Sequence, residues 1–356
     1  MLWKKISIRT LVPLLIAILF SVPTANAEIR TYEGVGEYLM SDFETFDVAQ
    51  QRALQRAERD ACEKAGVYVE SRTEVLNSQV TKDEIVIMTT NILKVVDVQY
   101  RREHSANNTT RIRATIKANI DSADVSQWFN KDSQEKSELI SQMEALRKAN
   151  EEQERQIAEL QKKLADNQTP QDKEQIAIAF AAEDKAFMSN QKVAEAWDFY
   201  NRREYVNAID LFNDAAKLNP DNALAYLGRG TVYYNQKQYV QAIFEFDRAT
   251  ELNPQLYQAH YNRANAYQAM NQYGQAIESY GAAIALNPND ADTYYNRANA
   301  YFCLNQYQQA IADYTRAIEL KPNYSAAYNN RGLAYQRLGN YSQAQADLAR
   351  AEALGR

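Results

Sequence analysis

Four prolines stand at one constant interval in the carboxyl-terminal half of the chain. The interval is 34 residues in every case, and the four are Pro220, Pro254, Pro288 and Pro322. A fixed period of this length indicates stacked helical hairpins. A single hairpin cannot bury its apolar face alone, so neighbouring hairpins must stack in series. The period therefore predicts an all-α solenoid from about residue 189 onward.

Ring-bearing and small residues recur at the same interval. Rings share three positions of each period: Tyr226, His260, Tyr294 and Tyr328; Tyr233, Tyr267, Tyr301 and Tyr335; and Tyr239, Tyr273, Tyr307 and Tyr341. Small residues share two more: Gly230, Ala264, Ala298 and Gly332; and Ala242, Ala276, Ala310 and Ala344. Paired helices approach closely where small residues face each other, and rings fill the remaining space. Most of these tyrosines are therefore predicted to be framework.

This pattern resembles the tetratricopeptide repeat (TPR), a helix-turn-helix unit of the same length. The predicted units are residues 189–222, 223–256, 257–290, 291–324 and 325–356. The first departs mildly, because Lys192 stands where its neighbours carry a ring. The resemblance implies a superhelix whose first helices line a concave groove that binds a protein or peptide.

The groove positions of that family can be carried onto this sequence. They include Leu224, Leu227, Tyr234, Tyr261, Asn262, Asn265, Tyr295, Asn296, Asn299, Phe302 and Asn330. Rings and amides dominate this set, whereas family members that clamp a terminal carboxylate use lysine and arginine. The recurrent Arg229, Arg263, Arg297 and Arg331 are expected to pack their stems between helices with the heads in water. Two alternatives remain open: a solvated groove, or one filled by another part of the chain.

The amino terminus has the pattern of an export signal. Basic residues come first, at Lys4, Lys5 and Arg9, and residues 11–22 are apolar. Residues 25–27 then offer a small-x-small cleavage site. Residues 1–27 are therefore predicted to direct export to the periplasm or cell envelope, with an uncleaved anchor as the alternative.

Residues 28–129 are predicted to form a small α/β (α+β) domain. The segment "RTYEGVGEYLM" indicates a strand with a glycine kink, and capping boxes at Ser41–Glu44 and Thr81–Glu84 indicate helix starts. The first helix is expected to end at Gly66, followed by a strand in "VYVESRTEVL". A hairpin closes the domain, with its turn near residues 106–108.

This segment resembles the amino-terminal domain of the flagellar-assembly T protein and a related family of small bacterial envelope lipoproteins. The stretches that carry the resemblance are "GVGEY", "AQQRALQRAERDACEKAGVYVES" and "TKDEI". The resemblance implies an envelope-facing module and supplies no catalytic motif.

Residues 131–165 contain no glycine, proline or aromatic residue, and their apolar residues follow a heptad spacing. The predicted seam consists of Leu139, Met143, Leu146, Asn150, Gln153, Ile157, Leu160 and Leu164. Such a seam predicts a coiled-coil homodimer, with Asn150 fixing the register. A solvated single helix that bridges domains is the alternative. Pro170 is expected to end this helix, and residues 171–188 to form a connecting helix.

Composition narrows the function further. The net charge of −6 becomes more negative once the three basic residues of the signal are removed, which argues against nucleic acid and anionic lipid as partners. The two cysteines, Cys62 and Cys303, are expected to stay unpaired, and the two histidines, His104 and His260, sit in no catalytic pattern. We therefore predict a non-catalytic adaptor without cofactor or metal. Two alternatives are a structural envelope spacer with a permanent partner and an enzyme accessory with a ligand-binding α/β domain.

Overall fold

The computed structural model describes residues 28–75, 80–104, 110–131, 133–165 and 169–355. The predicted export signal and hairpin turn lie outside these ranges. The amino-terminal part contains β1 (Ile29–Met40), α1 (Phe46–Val75), α2 (Lys82–Ile92), β2 (Lys94–His104), β3 (Thr110–Asp121) and α3 (Ser122–Asn130). Two long helices follow, α4 (Ser133–Ala165) and α5 (Pro170–Asn201). The remaining helices are α6 (Tyr205–Leu218), α7 (Ala223–Asn235), α8 (Tyr239–Leu252), α9 (Tyr257–Ala269), α10 (Tyr273–Leu286), α11 (Ala291–Cys303), α12 (Tyr307–Leu320), α13 (Ser325–Arg337) and α14 (Tyr341–Leu354).

The three strands form an antiparallel sheet in the order β1-β3-β2, with α1 packed on one face. The glycines of β1 serve this packing and do not kink the strand. A Cβ at Gly34 would lie 2.0 Å from the carbonyl oxygen of Ala57, and one at Gly36 would lie 2.1 Å from that of Ala53. Only glycine therefore lets the strand approach the alanine-lined helix so closely.

The strand predicted after Gly66 is wrong, because α1 continues without a break to Val75. Ala65, Tyr68 and Val69 are buried at helical spacing against α2, while Val67 is 70% exposed. The apolar residues of "VYVESRTEVL" therefore lie on different sides of a helix, with Tyr68 and Val69 toward α2 and Val67 toward solvent. Gly66 lies inside that helix and does not end it.

The two predicted capping boxes differ in outcome. Thr81 caps α2 as predicted, accepting from the backbone of Glu84, whose side chain reaches back to the Thr81 N–H. At the first box, Glu44 accepts from the Ser41 N–H at 2.7 Å, but α1 begins only at Phe46. That box orders the turn before the helix.

The apolar stripe of α4, which was predicted as a dimer seam, packs against the same chain in this structure, and the homodimer stays a prediction. Leu139 and Met143 pack among α1, α2 and α3, and Leu146 packs against the first repeats. The carboxyl-terminal seam residues, Ile157, Leu160 and Leu164, pack in the core formed with α1, the sheet and α5. Asn150 Oδ1 accepts from Asn190 Nδ2 at 3.0 Å, so its amide also bonds within the chain. A second chain could contact this stripe only if α4 first separated from the elements of its own chain that cover it.

The predicted connecting helix and the first repeat helix form one continuous element, α5. Thr169 caps it and Pro170 occupies its first turn, so this proline begins a helix. Asp184 of α5 lies 3.1 Å from Arg52 of α1, which places the start of α5 on the α/β domain. The carboxyl-terminal end of α5 pairs with α6.

Helices α7 to α14 continue as four antiparallel pairs, each stacked on the next. The aligned alanines between paired helices are fully buried at Ala264, Ala298, Ala242, Ala276 and Ala310. The turn inside each pair contains one residue with positive φ, at Arg203, Lys237, Asn271, Asn305 or Gly339. The same turn thus recurs in every unit, as a repeat with local packing requires.

Candidate functional site

The first helices of the repeats, α7, α9, α11 and α13, form the surface that the sequence predicted as a binding groove. Its aromatic members sit in ring clusters. Tyr261 lies 5.9 Å from Tyr257 in a stacked arrangement and 6.1 Å from Tyr280 edge-on, measured between ring centroids. Tyr295 lies 4.9 Å from the ring of Tyr324. The structure thus gives the predicted groove tyrosines a packing role as well.

The predicted asparagines link successive repeats. Asn296 Nδ2 donates to the Tyr261 hydroxyl at 3.0 Å, and one repeat later Asn330 Nδ2 donates to the Tyr295 hydroxyl at 3.1 Å. Asn330 also donates to Asn299 Oδ1 at 3.0 Å. These amides were predicted to hold a peptide backbone, and each instead spends at least one hydrogen bond inside the solenoid. An amide offers two donors and an acceptor, so capacity for a ligand remains.

A second set of bonds joins the two helices within a repeat. The hydroxyl of Tyr280 donates to Asn265 Oδ1 at 2.5 Å, and that of Tyr314 donates to Asn299 Oδ1 at 2.6 Å. In the preceding repeat the corresponding residues are Phe246 and Thr231, so no such bond can form there. The sequence analysis did not single out Tyr280 and Tyr314. A usable signal was present, because tyrosine at this position occurs together with asparagine at the partner position, and phenylalanine occurs together with threonine.

Burial keeps these phenols neutral. It raises the pKa of Tyr261 to about 12, with the Asn265 hydrogen bond opposing the shift. Burial likewise raises the pKa of Tyr280 and of Tyr314. A neutral phenol both donates and accepts, so the half-buried Tyr261 offers the surface an uncharged hydrogen-bonding group, whereas Tyr280 and Tyr314 are fully buried.

The remaining predicted groove residues lie at the edges of this surface. Tyr234 packs against Tyr239 at 5.5 Å, and Phe302 packs edge-on against Tyr307 at 5.3 Å, between ring centroids. Asn262 Nδ2 lies 3.4 Å from Thr231 Oγ1. Tyr234 and Phe302 thus sit where the first helix of a repeat turns into the second.

Helix α4 covers the part of this surface nearest the α/β domain. Leu224 and Leu227 are buried in the core of the first repeats, against which Leu146 of α4 packs. Further along, Gln258 Nε2 donates to the backbone carbonyl of Ser141 at 3.3 Å. We call this region the covered surface, and we call the side chains of Tyr261, Tyr295, Asn296, Asn299, Phe302 and Asn330 the open surface.

The sequence suggested that the guanidinium groups of the recurrent arginines lie in water. In the structure each of them instead forms an ion pair that crosses between helices. Arg297 makes two bonds to Asp313, at 2.7 and 2.9 Å. Arg331 makes two bonds to Asp347 and a third to Thr315 of the preceding repeat, at 2.7, 2.8 and 2.9 Å. Arg229 pairs with Glu245, and Arg263 pairs with Asp247. Each of the four guanidinium groups is thus paired with a carboxylate of the same chain.

Two spaces elsewhere in the described chain differ from a ligand pocket. The space beside Arg52 and Phe187, between α1, α4 and α5, holds no more than about one water molecule. A half-open polar cleft of about 450 Å³ lies between α3 and the first repeat, beside Trp128 and Tyr200. Neither resembles the apolar pocket that a ligand-binding α/β domain requires.

Two further properties concern the described residues only. There, no group of three or more His, Cys, Asp or Glu side chains is placed to hold a metal ion. Among the described helices, none combines the length and the apolar character needed to cross a membrane.

Comparison with known families confirms the repeats. Models of the tetratricopeptide repeat match residues 193–257, 245–278, 265–304, 291–324 and 313–346. The carboxyl-terminal part of the chain is therefore a TPR solenoid. No match was found among curated proteins. The resemblance of residues 28–129 to the flagellar-assembly T protein stays a prediction, because the matched models begin at residue 193.

Several solved structures resemble the repeats. A crystal structure of MamA is 25% identical, with a TM-score of 0.45, and the alignment covers 47% of this chain and 91% of that one. MamA from Desulfovibrio magneticus RS-1 is 22% identical over 49% of this chain and 96% of that one, with a TM-score of 0.45. YrrB, described as a TPR protein with an unusual peptide-binding site, is 21% identical over 46% of this chain and 84% of that one, with a TM-score of 0.43.

Proposed function

We propose that this chain is an exported, non-catalytic adaptor that binds a polypeptide on the open surface of its TPR solenoid. The observation that carries the proposal is the covered surface. There α4 lies against the core of the first repeats through Leu146, and its Ser141 carbonyl accepts a hydrogen bond from Gln258 of α9. The open surface continues the same row of first helices beyond the end of that contact.

The chemistry of the open surface favours an uncharged stretch of the partner. Rings offer apolar area, and amides with neutral phenols offer hydrogen bonds without charge. The arginines that recur along the solenoid are paired with carboxylates of this chain. A partner held by its terminal carboxylate would have to compete with those pairs, so we propose recognition of an internal segment.

The location is part of the proposal. The pattern of residues 1–27 supports export, and the resemblance of residues 28–129 to envelope proteins supports a place in the periplasm or cell envelope. The α/β domain would then act as the envelope-facing module, while the solenoid holds the partner.

The test is a peptide-display selection against the purified protein, followed by affinity measurements on variants. Phe302→Lys places a charge on the open surface and should lower the affinity for the selected peptides at least tenfold. Phe244→Lys is the matched control, because Phe244 is 70% exposed on α8, a second helix of a repeat. Equal losses in both variants, or peptides unaffected by Phe302→Lys, would contradict the proposal.

A structural spacer is the second candidate, and the intramolecular contact of α4 favours it, because a solenoid can use this surface for packing within its own chain. This candidate predicts that no peptide is selected on the open surface, so the same experiment separates the two.

A further inference from the structure

The two edges of the sheet are finished differently. Along β1, four alternate residues have their outward backbone groups bonded by side chains of α1 and α4. The pairs are Glu33 O with Lys64 Nζ at 2.9 Å, Val35 N with Asp60 Oδ2 at 2.8 Å, Glu37 O with Arg56 Nη1 at 2.8 Å, and Leu39 O with Gln161 Nε2 at 2.9 Å. Side chains thus occupy three acceptors and one donor of this edge and lie where another strand would have to pair.

The other edge, β2, has no such cover among the described residues. Its backbone hydrogen bonds run to β3, and the described part of the chain supplies no bond to its outward groups. Its side chains are exposed for nearly the whole length of the strand, with Val98 and Glu103 half-buried. An edge strand with unpaired N–H and C=O groups is a template for another strand.

The apolar face of the sheet, which α1 covers over β3, is only partly covered at β2. Val98 and Tyr100 pair with Ile116 and Ala114 of β3, which are fully buried beneath α1. Tyr100 itself is 40% exposed. A further strand alongside β2 would extend this face and bury the tyrosine.

The sequence of β2 complements itself in one antiparallel register. With Gln99 opposite Gln99 of a second copy, Asp97 faces Arg101 twice on the outer face, and Val98 faces Tyr100 twice on the apolar face. A shift of the centre to Tyr100 would set Asp97 against Glu103, and a shift to Arg101 would set two arginines together. Opposite charges and aromatic–branched pairs across strands are stabilising, whereas like charges are not.

We propose that two copies of this chain join through β2 in that register, forming one six-stranded antiparallel sheet. The interaction is independent of the open surface of the solenoid. It replaces the α4 seam as the route to a dimer, because the apolar stripe of α4 is already covered. The bulge at Val96, between Val95 and Asp97, interrupts the edge and limits continued strand pairing.

Charge reversal tests the register. Sedimentation velocity over a range of concentrations should show a dimer whose dissociation constant rises about tenfold or more in Asp97→Arg, because two favourable pairs become two repulsive ones. The double variant Asp97→Arg/Arg101→Asp restores both pairs in reversed order and should restore the dimer. That rescue excludes misfolding as the cause of the loss.

Cross-linking tests the geometry. Gln99→Cys, in a Cys303→Ser background that removes an exposed native thiol, should form a disulfide-linked dimer on mild oxidation. Thr115→Cys is the control, because it pairs with Gln99 but lies on the central strand. A chain that is monomeric at all concentrations, a dimer insensitive to Asp97→Arg, or equal cross-linking through residue 115 would overturn the proposal.

Discussion

Asp313 provides a sharp test of the ion pairs that join the helices of each repeat. It receives two hydrogen bonds from Arg297, and the two side chains are 10% and 20% exposed. Replacing Asp313 by alanine leaves a guanidinium between α11 and α12 without its carboxylate. The geometry is bidentate and mostly out of water, which is the arrangement in which such pairs matter most.

The expected loss of stability lies between the values for an exposed ion pair and for a fully buried one. Exposed pairs contribute about 0–1 kcal/mol, and removing one partner of a fully buried pair costs about 3–5 kcal/mol. Arg297 retains some access to water, so we expect Asp313→Ala to lower the free energy of unfolding by about 2 kcal/mol. The hydrogen bond to Asp313 is the main cause that raises the pKa of Arg297. Its loss still leaves the guanidinium charged, because an arginine stays protonated in a protein even without a partner.

A double variant distinguishes the pair from simple packing loss. Arg297→Leu/Asp313→Ala removes both charges and places an apolar side chain between the two helices. Exchanging a buried pair for apolar groups is often neutral. We therefore expect the double variant to lie within about 1 kcal/mol of the original chain, although Asp313→Ala alone does not.

The assay is urea unfolding followed by far-ultraviolet circular dichroism, together with hydrogen exchange of the α11 and α12 amides. Hydrogen exchange is needed because a repeat array can open locally. Glu319→Ala is the control, since its pair with Arg316 is exposed and should contribute less than about 0.5 kcal/mol. If Asp313→Ala is as stable as the control, or the double variant is as unstable as Asp313→Ala, then this ion pair does not stabilise the solenoid.

Three further predictions concern the α/β domain and its junction with α5. Gly36→Ala should unfold the sheet while leaving the repeats helical, because the added Cβ meets the backbone of α1, and near-ultraviolet circular dichroism with limited proteolysis would show it. Gly66→Ala should instead raise the free energy of unfolding by about 0.5–1 kcal/mol, because Gly66 lies in a helix with nothing within 4 Å of an added Cβ. Burial raises the pKa of Asp184 to about 6 despite the charge of Arg52, so the folded chain binds this proton more tightly than the unfolded one. Raising the pH from about 4 to about 7 should therefore weaken the packing of α5 on α1 by about 1–2 kcal/mol, and Asp184→Asn should remove that slope from urea titrations.

The repeats could be predicted in detail because their determinants are local. Each unit contacts its neighbours in series, so the same residues must return at the same interval, as the buried alanines and the four arginines show. The partners of those arginines were harder to see. Asp313 lies on the following helix, while Arg263 uses Asp247 of the preceding repeat because Ser279 stands at the Asp313 position.

The α/β domain was predicted less well because short patterns there fit two structures. The alternation after Gly66 suits a strand, yet the same residues place Ala65, Tyr68 and Val69 on one side of a helix. Local sequence could not choose between them. The choice depended on α2, which offered an apolar surface at helical spacing.

The amino-acid sequence alone predicts that the carboxyl-terminal half is a TPR solenoid and that α4 carries one apolar stripe. Which surface covers that stripe emerges only in the folded chain, where the α/β domain and the first repeats bury it. The physical reason is that apolar burial has no direction, so a stripe fits a second copy or a neighbouring surface equally well until that surface has formed. The same folding step left the first helices of the later repeats, and the edge of β2, without cover from α4.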